Sequence, residues 1–249
     1  MNLINGLPWI NLEPFIDIDA LAVQKAKIAA ALAASHPFRY PSIVGAQNNL
    51  YDQSLVELGD YAKELIKDDD YEHKNLLKLL GSAPKIQLFC KYMYDVVSLN
   101  EAIHLRTSRG GNYFSKHLEE HCIDTPAFKF FNFLKVWLDA QNIFSEYGRI
   151  VFFVNEAGVH SIKHRDYPDG VSRKDNFIWL SLDGRKNFYV YDDATDEHHY
   201  VTSRVALFDN SNWHGSDTCK YTGWSLRIDG VFSPEFREKA GLEDYIDGK

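Results

Sequence analysis

Four residues in the second half of the chain have types and spacings suited to metal chemistry. His164 and Asp166 stand one residue apart in SIKHRDYP, His214 follows in FDNSNWHGSD, and Arg227 lies in GWSLRIDG. On a strand, residues i and i+2 project to the same face, so His164 and Asp166 enter a sheet interior together. Two imidazoles and one carboxylate occupy one face of an octahedral metal. They leave adjacent positions open, which suits Fe(II). Those positions can take a bidentate acid and O₂. Arg227 supplies a permanently charged fork for a second carboxylate on that acid.

Other residues serve this chemistry less well. The chain has ten His. His198 and His199 are neighbours, and adjacent strand residues point to opposite faces, so they cannot share one metal from a regular strand. His160 falls outside the His-x-Asp pair. The three cysteines, Cys90, Cys122 and Cys219, are odd in number and lack CxxC spacing. They argue against a disulfide framework and a cysteine-rich zinc site, and for reduced thiols in a cytoplasmic protein.

The elements that must position these residues change character near Gly148. Before it the chain reads as mixed and largely helical. Asp19 can cap a helix running to Ala34, with Leu21, Ile28 and Leu32 as its apolar stripe. A second helix is expected from Gln53 to Ile66, and a β segment from Lys85 to Val97. Pro126 to Gln141 gives the strongest helical pattern: Phe130, Phe133, Leu134, Trp137 and Leu138 recur at helical spacing behind a first-turn proline. TSRGGN, Thr107 to Asn112, reads as a loop.

After Gly148, short β-rich runs follow one another: 149–155, 159–166, 176–182, 187–191, 198–201, 204–209 and 222–232. Asp183-Gly184 predicts a hairpin between the third and fourth. So many strands with no helix between them imply a sandwich or jelly roll. The expected organisation is one domain over 1–249. In it a mostly helical part, 1–147, packs on a β core, 148–233, and a tail, 234–249, follows.

Composition narrows the function class. The 249 residues carry 27 Lys and Arg against 35 Asp and Glu, a formal net charge of −8. That balance disfavours a nucleic-acid partner held through phosphates. The apolar fraction of 45% and charged fraction of 25% exclude a disordered chain. No apolar run approaches the ~20 residues of a membrane helix. The N-terminal MNLINGLPWI lacks the basic region of a signal peptide.

The order His164-x-Asp166, then His214, then Arg227 resembles the Fe(II)/2-oxoglutarate-dependent dioxygenases, over roughly 126–232. The resemblance implies a double-stranded β-helix, or jelly-roll, core. It implies Fe(II) at His164, Asp166 and His214, and Arg227 on the C5 carboxylate of 2-oxoglutarate. By the same resemblance, Asn155 and Ser225 are further candidates for the co-substrate. The family more often has Ser two residues after the Arg, where this chain has Asp229. The implied reaction is substrate-H + 2-oxoglutarate + O₂ → substrate-OH + succinate + CO₂.

Other readings fare worse. His164-Arg165-Asp166 is also a protein-kinase motif, but Tyr-Pro-Asp-Gly follows, and the rest of the kinase set is missing. No GxSxG marks a Ser hydrolase. A non-catalytic cupin-like metal sensor would share the His/Asp cluster but needs no Arg227. Asp166 occupies the position that halogenating relatives leave small. The expected substrate is a small polar metabolite such as an amino acid or derivative, with a peptidyl or protein side chain as the alternative. The loop with Arg106 and Arg109, and the turn YPDGVSR after Asp166, are candidates for contacting it.

Overall fold

The structure is a computed structural model. It describes residues 1–35 apart from 2 and 5, and 39–41, 85–92, 122–155, 157–166, 176–182, 186–221 and 223–243. The first half supplies β1 (Trp9–Asn11), α1 (Ile18–Ala22), α2 (Lys25–Ala34), β2 (Arg39–Pro41), β3 (Lys85–Tyr92), β4 (Ile123–Asp124) and α3 (Asn132–Gln141). The second half supplies β5 (Phe144–Asn155), β6 (Ser161–His164), β7 (Phe177–Leu180), β8 (Phe188–Asp192) and β9 (Glu197–Tyr200). It ends with β10 (Val205–Phe208), β11 (His214–Ser216), β12 (Gly223–Phe232) and α4 (Pro234–Ala240).

These strands form two antiparallel sheets. The larger has the order β1-β10-β7-β12-β5-β3-β2, with β4 paired to β3, and the smaller has the order β6-β11-β8-β9. From β5 to β12 the chain winds between them. β5, β7, β10 and β12 lie in the large sheet, and β6, β8, β9 and β11 in the small one. That winding is a double-stranded β-helix, as expected.

Alternation on β12 explains the two faces of the large sheet. Leu226 and Ile228 pair with Phe152 and Ile150 on β5, and with Leu180 and Ile178 on β7. Directly paired residues share a face, and all six are buried. This outer face is covered by the segment before α3, where Phe131 stacks on Phe152 with ring centroids 4.8 Å apart. Fully burying an aromatic ring of this kind is worth about 1.5–3 kcal/mol. The other face carries Ser225, Arg227 and Asp229 and looks toward the small sheet. Trp179, paired with Arg227, stacks there on Phe188 of β8 at 4.8 Å.

Several expectations change. The helix from Asp19 divides into α1 and α2, and its cap is Asp17, whose carboxylate accepts from Ala20 N–H. The 126–141 helix begins as a 3₁₀ turn, Pro126–Phe131, before α3. The 183–184 hairpin is overturned, because β7 and β8 belong to different sheets. The tight hairpin is β8–β9, where Asp196 takes φ +58°. The first core strand starts at Phe144, inside the part expected to be helical, and β1, β2, β3 and β4 of that part extend the large sheet. The expected helix 53–66 lies outside the described residues. Among the described residues no helix is long and apolar enough to cross a membrane.

Candidate active site

The small sheet brings the donor residues together. His164 ends β6, His214 starts β11, and their Cα positions are directly paired. The two rings lie 4.4 Å apart. Asp166 sits in a bend two residues past β6. Its N–H donates to Asn210 O, in the turn before β11, at 3.0 Å. One ligand atom from each of His164, Asp166 and His214 lies within 4.8 Å of the others. Among the described residues this is the one such group of three or more metal-binding side chains.

His214 and Asp166 are each aimed by neighbours. His214 Nδ1 lies 2.9 Å from Asn212 O. A carbonyl only accepts, so Nδ1 donates, and the lone pair is on Nε2. Nε2 faces Asp166 Oδ1 at 3.9 Å. The other oxygen of Asp166, Oδ2, accepts from Asn210 Nδ2 at 2.7 Å and from Arg227 Nη1 at 3.0 Å. The turn before β11 is shaped by Asp209, which is fully buried and accepts from Ser211 N–H and Oγ–H at 2.8 and 2.6 Å. On the outside of the small sheet, Lys163 lies over Tyr191 at 3.4 Å and Arg165 over Trp213 at 4.5 Å. These contacts tie the His164 strand to its neighbours. Phe188 and Phe208 flank His214, with ring centroids 5.9 and 5.3 Å away.

Arg227 reaches the donor group from the large sheet. Besides Asp166 it engages Asp229: Nε and Nη2 lie 2.9 and 2.8 Å from Oδ1. Asp229 Oδ2 in turn accepts from Arg149 Nε at 2.9 Å. The guanidinium of Arg227 lies 3.9 Å from the Phe177 ring centroid. Ser225, on the same face two residues earlier, is fully buried and accepts from Lys186 Nζ at 2.8 Å. Asn155, also buried, closes β5 opposite Gly223 and donates from Nδ2 to Ser161 Oγ at 3.4 Å.

All six sequence-derived candidates therefore lie in this jelly roll, with His164 beside His214 and Asp166 between His214 and Arg227. Asn155 and Ser225 stand toward the β11–β12 turn. His198 and His199 lie elsewhere, on β9 at the edge of the small sheet, and His198 stacks on Tyr189 at 3.9 Å. Arg106, Arg109 and the 167–173 turn lie outside the described residues. Three contributors were not singled out from sequence: Asn210, Asp229 as partner of Arg227, and Lys186. Asp229 carried a local signal, its i+2 spacing from Arg227. Lys186 carried none, because it meets Ser225 only across the sandwich.

No protein-family model matches the chain, and no curated protein sequence does. Solved structures are similar at low identity. A prolyl-4-hydroxylase from Pseudomonas putida is 10% identical, covering 90% of this chain and 91% of that one, with a TM-score of 0.40. A prolyl hydroxylase from Trichoplax adhaerens, in complex with a peptide fragment of the hypoxia inducible factor oxygen degradation domain, is 9% identical. It covers 91% of this chain and 96% of its own, with a TM-score of 0.34. An oxidoreductase of the 2OG-Fe(II) oxygenase family from Burkholderia pseudomallei is 12% identical, covering 69% and 88%, with a TM-score of 0.31.

Proposed function

We propose that this protein is an Fe(II)- and 2-oxoglutarate-dependent dioxygenase that hydroxylates a small polar metabolite. The observation that carries the reading is the convergence of His164, Asp166 and His214 inside a double-stranded β-helix, with a buried guanidinium against the carboxylate. The donor chemistry fits the metal: two imidazoles and one carboxylate, with Nε2 of His214 presented as a lone pair. When bound, Fe(II) supplies the coupling of 2-oxoglutarate decarboxylation to O₂ reduction that inserts one oxygen into a substrate C–H bond.

The chain's own residues do the rest. Asn212 O fixes the His214 tautomer. Asn210 and Arg227 hold Asp166 Oδ2, which sets the direction of Oδ1. Phe188 and Phe208 shield the His214 side of the site from water, and His214 is only 4% exposed. Arg227, a buried cation on the inner face beside the donor group, would receive the distal carboxylate of the co-substrate. Placement of the donors within the sandwich supports a substrate whose reacting carbon is brought inward.

The test is anaerobic Fe(II) uptake, then succinate release in O₂ over a panel of amino acids, their derivatives and peptides. His164→Ala, Asp166→Ala and His214→Ala should each lower metal affinity at least tenfold, since one of three ligands is lost, while circular dichroism stays native. Wild-type protein that takes up no Fe(II) refutes the reading. Turnover confined to peptides replaces the proposed substrate class with a peptidyl side chain.

A further inference from the structure

We infer, resting on the metal reading above, that Asn210 is a positioning residue that reserves Oδ1 of Asp166 for the metal. Asp166 needs such a residue because the sheet does not hold it. β6 ends at His164, and Asp166 lies two residues on, in a bend. His164 stands directly opposite His214. Strict continuation of that antiparallel register would set Asp166 opposite Asn212. Instead Asp166 N–H bonds Asn210 O at 3.0 Å, two residues away from that register. The turn itself builds the slip. Asp209 Oδ1 accepts from Ser211 N–H and Oγ–H at 2.8 and 2.6 Å, and Asn212 N–H donates to Asp209 O at 3.1 Å. On the other side Trp213 keeps its register with β8, its carbonyl accepting from Tyr191 N–H at 2.8 Å.

The slip gives the two asparagines different donors to serve. Asn212 O meets His214 Nδ1 at 2.9 Å. Asn210 grips Asp166 at two points, its carbonyl on the main chain and its Nδ2 on Oδ2 at 2.7 Å. Arg227 Nη1 donates to the same oxygen at 3.0 Å. A carboxylate oxygen has about two lone-pair sites, so these two donors take both sites on Oδ2. Oδ2 is thereby kept off the metal, while Oδ1 lies 3.9 Å from His214 Nε2, on the side of the imidazole lone pair. Ligation by one oxygen suits the chemistry. A carboxylate that took two positions would leave one fewer for a bidentate acid and O₂. Asn210 is fully buried, so bulk water does not compete for its amide. The amide also donates without adding charge. An aspartate there would set a second carboxylate against Oδ2.

The test is calorimetric titration of Co(II) into the metal-free full chain. Co(II) is the probe because such sites bind it more tightly than Fe(II), which keeps weakened variants measurable. Asn210→Ala should bind Co(II) about 10- to 100-fold more weakly than wild type, the loss that follows removal of a ligand's outer partner. On an Asp166→Ala background the same change should alter Co(II) affinity less than about twofold, because the residue through which Asn210 acts is gone. Ser211→Ala loosens the same turn without touching a donor, so its Co(II) affinity should stay within about threefold of wild type. The visible absorption of bound Co(II), which reports ligand geometry, should change in Asn210→Ala and not in Ser211→Ala. Asn210→Ser keeps a turn-forming residue, should Asn210→Ala not fold. Its hydroxyl falls short of Asp166 Oδ2, so Co(II) binding should weaken about tenfold. Wild-type affinity in both Asn210 variants, an equal loss with and without Asp166, or as large a loss in Ser211→Ala overturns the assignment. Wild type that binds no Co(II) removes the metal reading itself and this assignment with it.

Discussion

Asp229→Asn should destabilise the protein strongly although Asp229 is not a candidate ligand. Its side chain is 2% exposed, beside Arg227 at 7% and Arg149 at 13%. It accepts two charge-assisted hydrogen bonds, from Arg227 Nε and Arg149 Nε, both at 2.9 Å, and Arg227 Nη2 lies 2.8 Å from its Oδ1 as an ion-pair contact. Each such bond is worth about 1.5–3 kcal/mol, but the gross value is offset by the desolvation of three ions. What the variant reveals is the cost of leaving two guanidiniums in a shielded site with one carboxylate fewer. Removing one partner of a buried pair costs about 3–5 kcal/mol. Asn keeps the shape and one acceptor, so the lower half of that range is expected. For a chain of this size, 3 kcal/mol lowers the melting temperature by about 6–12 °C. Urea unfolding should show a lower midpoint at unchanged slope, because little surface exposure changes. A double-mutant cycle with Arg149→Gln should give a coupling of about 1–3 kcal/mol. A loss below about 0.5 kcal/mol, abolished by 1 M salt, would mean that water screens the cluster as it does a surface pair, and the argument would fail.

Two further outcomes test the packing around the site. Gly230→Ala should cost at least about 2 kcal/mol, because a Cβ there would collide with Glu146 O and lie 2.7 Å from Phe144 Cδ1, and the first is backbone that cannot rotate away; unfolding within about 0.5 kcal/mol of wild type would contradict the β5–β12 register. Cys90 is fully buried, and burial, with a smaller contribution from the Asp124 charge, pushes its thiol well above the usual range. Mass-mapped alkylation of native protein at pH 8 should therefore spare Cys90 until urea is added, and labelling of Cys90 as fast as in urea would show that the β3 face is open.

What could be read from the residues alone was whatever the chain encodes within a few positions. Alternation shows on 222–232, where Leu226 and Ile228 face one way and Ser225, Arg227 and Asp229 the other. The i+2 rule placed His164 and Asp166 on one face, although the strand itself stops at His164. Helical spacing located 132–141, while the preceding 3₁₀ turn, with the same apolar residues, passed as its first turns. Asp183-Gly184 reads locally as a hairpin, and only the pairing of β7 and β8 in different sheets contradicts it. Hydrogen bonding between distant strands has no signature in either strand's composition. The same holds for charge. Arg227 reads as an unengaged fork until the fold places Asp229 on its other side and Asp166 across the sandwich. Lys186 reads as an ordinary turn lysine until β12 brings Ser225 to it. Local sequence decided which side chains enter the interior, because backbone geometry fixes their period. The tertiary structure decided which of them meet, because that depends on the order in which the strands cross between two sheets.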